Sequence, residues 1–394
     1  MKILYIYPYA ASQDSSVRKK IECQIKSLNK TGAQCHGAFL SVQFNRTESK
    51  DLYITHYPVK YKKINFLSQL FRRSNMDDAI RDLVSKEFGN YDYFYIRRQS
   101  ASRGLYRLVK KFGNKIVMEH QSKELDEIKS YFEKHRFGLR PTLAIDWWLN
   151  AFSPLLREKI YGPRINRYLR ASISVTNEIS IYQNNLGSRN SFVVSNGVAT
   201  DSFALKKKNP FNNELNLLFL KGSSGYSPWN GFDRLISSID DYYNRNPNGI
   251  KINLHVYGHF VDGEIAPRPY IFEGGFIRGE ELDRVVDMMH IGVSGLSVYK
   301  KNFNEGASLK VREYVARGLP FFYAYTDPDI NADANFFALK FPNDDSLIDM
   351  HKVIAFARDV LSDDLLPQKM REFARLNLDY DAKMIALMKI ISNF

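Results

Sequence analysis

Short apolar runs alternate with longer segments of helical period along the whole chain. Residues 3–7 form a compact apolar run and predict a buried strand. Residues 17–30 place Val17, Ile21, Ile25 and Leu28 on one helical face, with Gly32 just beyond as a stop. Residues 33–40 return to strand. Further strands are predicted at 91–96, 115–118, 171–176 and 191–194, with a helix over 101–112. The second half restarts the rhythm, with strands at 217–220, 252–257, 270–272, 291–294 and 321–323. Helices are predicted there over 232–243, 280–289, 308–317 and 346–361. Alternation at this pitch predicts α/β architecture in two halves, each a parallel sheet covered by helices. Residues 123–170 interrupt it with a helix-rich stretch that carries Trp147 and Trp148 near several arginines. Those tryptophans suit either core packing or a membrane interface.

Composition adds two constraints. The 394 residues are enough for two or three domains, each with its own core. The net charge of +13 is unevenly placed: residues 1–200 hold 33 Lys and Arg against 17 acids, and the remainder holds 23 against 26. The first half is therefore expected to meet something anionic. Lys60, Lys62, Lys63, Arg72 and Arg73 surround apolar residues, and Arg97, Arg98, Arg103, Arg107, Lys110 and Lys111 form a second cluster. An anionic membrane surface fits both clusters, and an ordinary solvated face is the plain alternative. No zinc-finger or RNA-recognition spacing is present, so nucleic acid is not the expected partner. No apolar run reaches the ~18 residues of a membrane span. The apolar start is short and ends at Pro8, which favours a strand over a leader. Cys23 and Cys35 fit no metal spacing and read as reduced, so a cytoplasmic protein is expected.

The segment of densest chemistry is 304–320, which carries Glu305 and Glu313 eight positions apart. A helix starting near Ser308 and stopping at Gly318 brings the second acid about two turns along, so both can face one crevice. The helix start offers unpaired N–H groups and a positive dipole end, suited to a diphosphate. Carboxylates beside it can accept from sugar and ribose hydroxyls. The strand ending at Lys221-Gly222-Ser223 turns on small residues, as a phosphate-binding turn does. Gly258 and Phe276–Ile277 follow two other strands at the predicted carboxyl-terminal rim. Asp327-Pro328-Asp329 is too little for a metal cage, and no metal site is expected.

Residues 304–320, with Ser308-Leu309-Lys310, Glu313-Tyr314 and Ala316-Arg317-Gly318-Leu319-Pro320, resemble the E-x7-E motif of retaining GT-B glycosyltransferases of family four. The wording is similar to that of bacterial surface-polysaccharide enzymes. Asn196-Gly197-Val198, with Phe203, resembles the turn that joins their two domains. The resemblance implies two Rossmann-like parallel-sheet domains facing an interdomain cleft, residues 1–198 and 199–377, with the last helix, 378–394, returning to the first domain. It implies a nucleotide diphosphate-sugar donor, UDP- or GDP-linked, without a metal cofactor, and a glycan or lipid-linked acceptor. Glu305 would then hold the transferred hexose and Glu313 the ribose. Gly306, Ser308, Leu309, Gly222 and Ser223 would line the diphosphate, and Gly258, Phe276 and Ile277 the nucleobase. His120, at the end of a first-half strand, matches a residue that relatives present to the sugar. Retention and front-face attack come from the resemblance alone. Many relatives carry an Arg where this chain has Ser223 and a Lys near Asn230. Lys221 or Lys310 is expected to supply the missing charge. The loop 11–16 also lacks the double glycine of relatives. A nucleotide-sugar epimerase of the same fold is the alternative, as is a non-catalytic membrane- or carbohydrate-binding relative.

Overall fold

The structure, a computed structural model, describes residues 1–8, 16–41, 52–59, 75–134, 152–222, 227–260 and 263–393. The chain forms two units, residues 1–195 with 383–394 and residues 196–382.

In the first unit the described elements run β1 (Lys2–Pro8), α1 (Ser16–Lys30), β2 (Gln34–Ser41), β3 (Ile54–Pro58), α2 (Asn75–Glu87), β4 (Tyr93–Arg97) and α3 (Arg103–Phe112). They continue with β5 (Ile116–His120), α4 (Glu124–Lys134), α5 (Ser153–Asn166), β6 (Ala171–Ser174), α6 (Asn177–Asn185) and β7 (Ser191–Val193). The strands lie in the order 3-2-1-4-5-6-7, every pair parallel. β1 shows why its sequence is almost wholly apolar. Leu4 and Ile6 enter the core on one face, Ile3, Tyr5 and Tyr7 the core on the other. A strand covered by helices on both faces needs apolar residues at successive positions, because they alternate between faces. Each fully buried Ile or Leu contributes about 1.5–3 kcal/mol.

The second unit runs β8 (Glu214–Lys221), α7 (Phe232–Arg245), β9 (Lys251–Gly258), β10 (Ile271–Glu273), α8 (Glu280–Met288), β11 (Ile291–Val293) and α9 (Leu309–Arg317). Then come β12 (Phe321–Tyr323), β13 (Ala338–Lys340), α10 (Met350–Val360), α11 (Leu366–Phe373) and α12 (Tyr380–Ile391). Its sheet is also wholly parallel, in the order 10-9-8-11-12-13. The chain rejoins the first unit at Lys383, where Met384, Leu387 and Ile391 of α12 enter its core.

The sequence reading also passed over the helices Asn75–Glu87, Asn177–Asn185 and Leu366–Phe373, and three further elements differ from the expectation for local reasons. β3, ending in Pro58 at a sheet edge, has no long apolar run to mark it. β13 is only three residues long. The helix expected from 346 begins at Met350, because the Asp349 carboxylate accepts from the His351 and Lys352 N–H groups at 3.0 and 3.3 Å and caps it. Trp147 and Trp148 lie outside the described residues. Among the described residues no helix is long and apolar enough to cross a membrane.

Candidate active site

In each sheet the chain order reverses on the two sides of the first strand, and ligands of such sheets bind beyond the strand ends at that reversal. In the second unit this point lies between β8 and β11. β8 ends at Lys221, which is in register with Gly258 at the end of β9. Gly258 has φ 127°, and a Cβ there would sit 2.0 Å from the Lys221 carbonyl oxygen, so only glycine fits. Its N–H donates to the Gly275 carbonyl at 2.7 Å, which ties the end of β9 to the loop after β10. Phe276 in that loop is 54% exposed and stacks on His259 with ring centroids 4.8 Å apart. An aromatic face left open to solvent is a platform for another flat ring. Ile277 instead turns toward the core. No atom of the described residues would lie within 4 Å of a Cβ on Gly222, at the end of β8. Ser223 lies outside the described residues.

α9 begins beside this point. Ser308 precedes it without a side-chain capping bond, so the hydroxyl leaves the first-turn N–H groups to other acceptors. Lys310 is in that first turn, and its ammonium donates to the Leu220 carbonyl at 2.7 Å. The start of α9 and the end of β8 are thereby drawn together. Burial lowers the Lys310 ammonium to about 8, so it remains cationic at neutral pH. Lys221 is differently placed. Its ammonium forms an ion pair with Glu264 and lies 4.9 Å from the Phe260 ring centroid, so its charge is already countered. Of the two lysines, Lys310 is the one at the helix start.

Glu305 is held by backbone pairing. It bridges to Thr326 in the continuation of β12, where Gly306 N–H donates to the Thr326 carbonyl at 3.0 Å and Thr326 N–H to the Asn304 carbonyl at 2.8 Å. A Cβ on Gly306 would come within 3.1 Å of the Tyr325 ring, which is why the loop fits this closely. Glu313 lies on the opposite flank, toward α8. Its Oε1 accepts from Nε and Nη2 of Arg317 at 3.0 Å, and Arg317 also pairs with Asp283 of α8.

Between these acids sits a residue that motif reading missed. Arg312 is fully buried, with Nε donating to the Asn196 carbonyl at 3.0 Å. Asp327 takes its guanidinium in a two-pronged pair, one arm at 2.8 Å, and Asp329 accepts from Nη2 at 2.5 Å. Burial alone would favour loss of the Arg312 proton, but the two aspartates hold it firmly on. Asp327-Pro328-Asp329 is therefore a clamp on α9. The available signal was a charged residue at 312 within the apolar stripe of Val311, Val315 and Ala316.

In the first unit His120 ends β5 and is fully buried, with Nδ1 2.7 Å from Glu124 Oε1. Its neighbour Glu119 accepts from Lys20 at 2.6 Å, from Tyr5 at 2.9 Å and from Gln121. Burial pushes the Glu119 carboxyl up, yet Lys20 and Arg97 outweigh it and hold it at about 2. Lys20 ends near 8 because its desolvation exceeds the pull of one carboxylate shared among several donors. The ionised Glu119 is the better-anchored end of this pair. Arg97 and Arg98 turn into this polar cluster, whereas Arg103, Arg107, Lys110 and Lys111 are exposed on α3, whose apolar residues are buried. The cluster at 60–73 and the loop 11–15 lie outside the described residues.

Similar folds occur among solved structures. A glycosyltransferase from Rickettsia africae superposes with TM-score 0.61 at 13% identity, covering 100% of this chain and 98% of that one. The lipopolysaccharide outer core galactosyltransferase WaaB gives 0.62 at 12%, covering 100% and 98%. Anabaena HepE in complex with UDP-glucose gives 0.60 at 12%, covering 100% of both chains. This is the GT-B fold. No family model and no curated protein matches the sequence. On the GT-B frame, Asn230 occupies a short turn before α7, and its carbonyl accepts from the Leu296 N–H at 3.1 Å. The lysine that the resemblance leads one to expect near this position is not Asn230 itself.

Proposed function

We propose that the chain is a retaining, metal-independent glycosyltransferase of the family-four E-x7-E type. It would move a hexose from a UDP- or GDP-sugar to a glycan or lipid-linked acceptor in cell-surface polysaccharide synthesis. The observation that carries this reading is the order of groups along one sheet edge. The exposed Phe276 platform follows β10, Gly222 and the start of α9 lie at the end of β8, and Glu305 is paired to the continuation of β12. Strands are spaced about 4.8 Å apart, so this edge spans about 19 Å from β10 to β12. A base, a diphosphate and a hexose of one extended nucleotide-sugar have the same order and a comparable length. The tie of Glu313 through Arg317 to α8, the helix that follows β10, supports a role for Glu313 at the ribose.

In the proposed step, the bond from hexose C1 to the diphosphate oxygen breaks and a bond from the acceptor oxygen to C1 forms on the same face. The acceptor proton passes to the departing diphosphate. The N–H groups at the α9 start and the Lys310 ammonium stabilise the charge that develops there. Glu305 orients the hexose, and His120 binds a hydroxyl through Nε2. The basic α3 surface suits attachment to an anionic membrane face in the cytoplasm, by charge alone since its apolar residues are buried.

Product analysis tests the proposal. Incubating purified protein with UDP- and GDP-hexoses, with and without sugar acceptors, is expected to release nucleotide diphosphate together with glycoside. An epimerised donor with no released nucleotide identifies an epimerase. Unaltered donor in every mixture contradicts catalysis.

A further inference from the structure

A cavity of about 480 Å³ lies in the first unit, beyond the ends of β4 and β5 and against α4 and α5. Its volume is in the range of small-molecule sites, about 300–1,000 Å³. It opens beside the chain-order reversal between β1 and β4, the favoured place for a ligand in such a sheet. Each of its three carboxylates is engaged by at least one donor. Glu158 accepts from Arg98 Nη2 at 2.6 Å and from the Ala101 N–H at 2.8 Å. Glu124 is engaged by His120 and by Gln183, the latter at 2.9 Å. Glu127 accepts from the Ser122 hydroxyl at 2.5 Å. The donors are less well matched. Among the described residues, Arg98 Nε and Nη1, Arg97 Nη1 and Gln99 Nε2 are buried without a hydrogen-bond acceptor. The Arg98 side chain is 4% exposed, and its Nε is 3.7 Å from Glu124, beyond hydrogen-bond reach. Arg97 Nη1 stands 3.6 Å from Glu119, likewise too far.

A buried donor without an acceptor is destabilising, and four such atoms around one cavity are an unusual concentration. The missing partner must supply acceptors. A neutral sugar hydroxyl brings a proton of its own, whereas a carboxylate or phosphate ester presents only acceptors. Guanidinium groups beside an amide suit such an oxyanion. We infer that this cavity is an oxyanion site and that the acceptor carries a carboxylate or phosphate ester bound by Arg97, Arg98 and Gln99. Naming the ligand as the acceptor rests on the transferase reading; the oxyanion site itself does not.

The test is thermal stabilisation of the full chain by inorganic phosphate and by glucuronate, with glucose as the neutral control. Arg97→Gln and Gln99→Met each remove donors without breaking the Arg98–Glu158 pair. A dose-dependent rise in Tm with either anion and none with glucose is expected, and which anion acts separates phosphate ester from carboxylate. In each variant the apparent affinity should weaken by about tenfold or more, as loss of a charge-assisted bond implies. Absence of any shift, an equal shift with glucose, or full retention in both variants overturns the site and leaves a cavity of ordered water only. UDP and GDP added to parallel samples of Arg97→Gln report on the second unit. A shift of the unaltered chain with the anions but none of the variant with UDP or GDP defeats the transferase reading and leaves the oxyanion site standing.

Discussion

Replacing Arg312 with leucine is expected to cost about 3–5 kcal/mol of stability, the range for breaking a buried ion pair from one side. The side chain is fully buried, and Asp327 is as well. Its removal leaves one carboxylate wholly and another largely enclosed without a countercharge, and orphans the Asn196 carbonyl. Lysine should rescue little, because one ammonium cannot reproduce a fork that binds two aspartates at once. If the loss comes from stranded acids, changing Asp327 and Asp329 to leucine and asparagine in the same chain should recover much of it. Urea unfolding of the three variants checks this. A single Arg312→Leu change costing less than about 1 kcal/mol would show that the clamp is not what holds α9. The consequence reaches the site, since α9 carries Lys310 and Glu313 and the Asp327 segment directly follows the Thr326 pairing that holds Glu305.

Replacing Glu305 with alanine is expected to lower transfer by about 10²–10³-fold while the protein stays folded. That magnitude is typical for loss of one well-placed polar contact to a reacting group. The loop is fixed by backbone bonds to Thr326, so the carboxylate can be deleted without releasing the loop. On the proposed reading the loss should fall mainly on kcat, because the base and diphosphate would retain their own contacts and the lost interaction would be the one that orients C1. Lys310→Ala should also cut turnover sharply. Steady-state kinetics with both variants decides the matter. An unchanged kcat in Glu305→Ala removes that residue from the mechanism, and an unchanged kcat in Lys310→Ala removes the lysine.

The two parallel sheets were legible because both faces of their central strands are buried. Leu217 to Leu220 and Ile3 to Tyr7 therefore read as short apolar runs between helical periods. Gly318 marked the end of α9 equally well: it stands at φ 78°, and a Cβ there would meet Pro367 at 2.5 Å. What stayed hidden depends on partners distant in sequence. Nothing local pairs Arg312 with Asp327 and Asp329, so the two aspartates read only as a weak metal candidate. Arg97 and Arg98 looked like members of the same surface cluster as Arg103 and Arg107. They separate because the former pair end a strand and turn into buried carboxylates, while the latter lie on the outer face of an amphipathic helix. The pairing of Lys221 with Glu264 was hidden for the same reason.

The most direct test is a structure of the protein with a UDP- or GDP-hexose bound. The account predicts the base against Phe276, the ribose at Glu313, the diphosphate at the start of α9 beside Lys310, and the hexose at Glu305. A nucleotide-sugar bound away from the β8–β11 reversal, with Glu305 and Glu313 untouched, would contradict it.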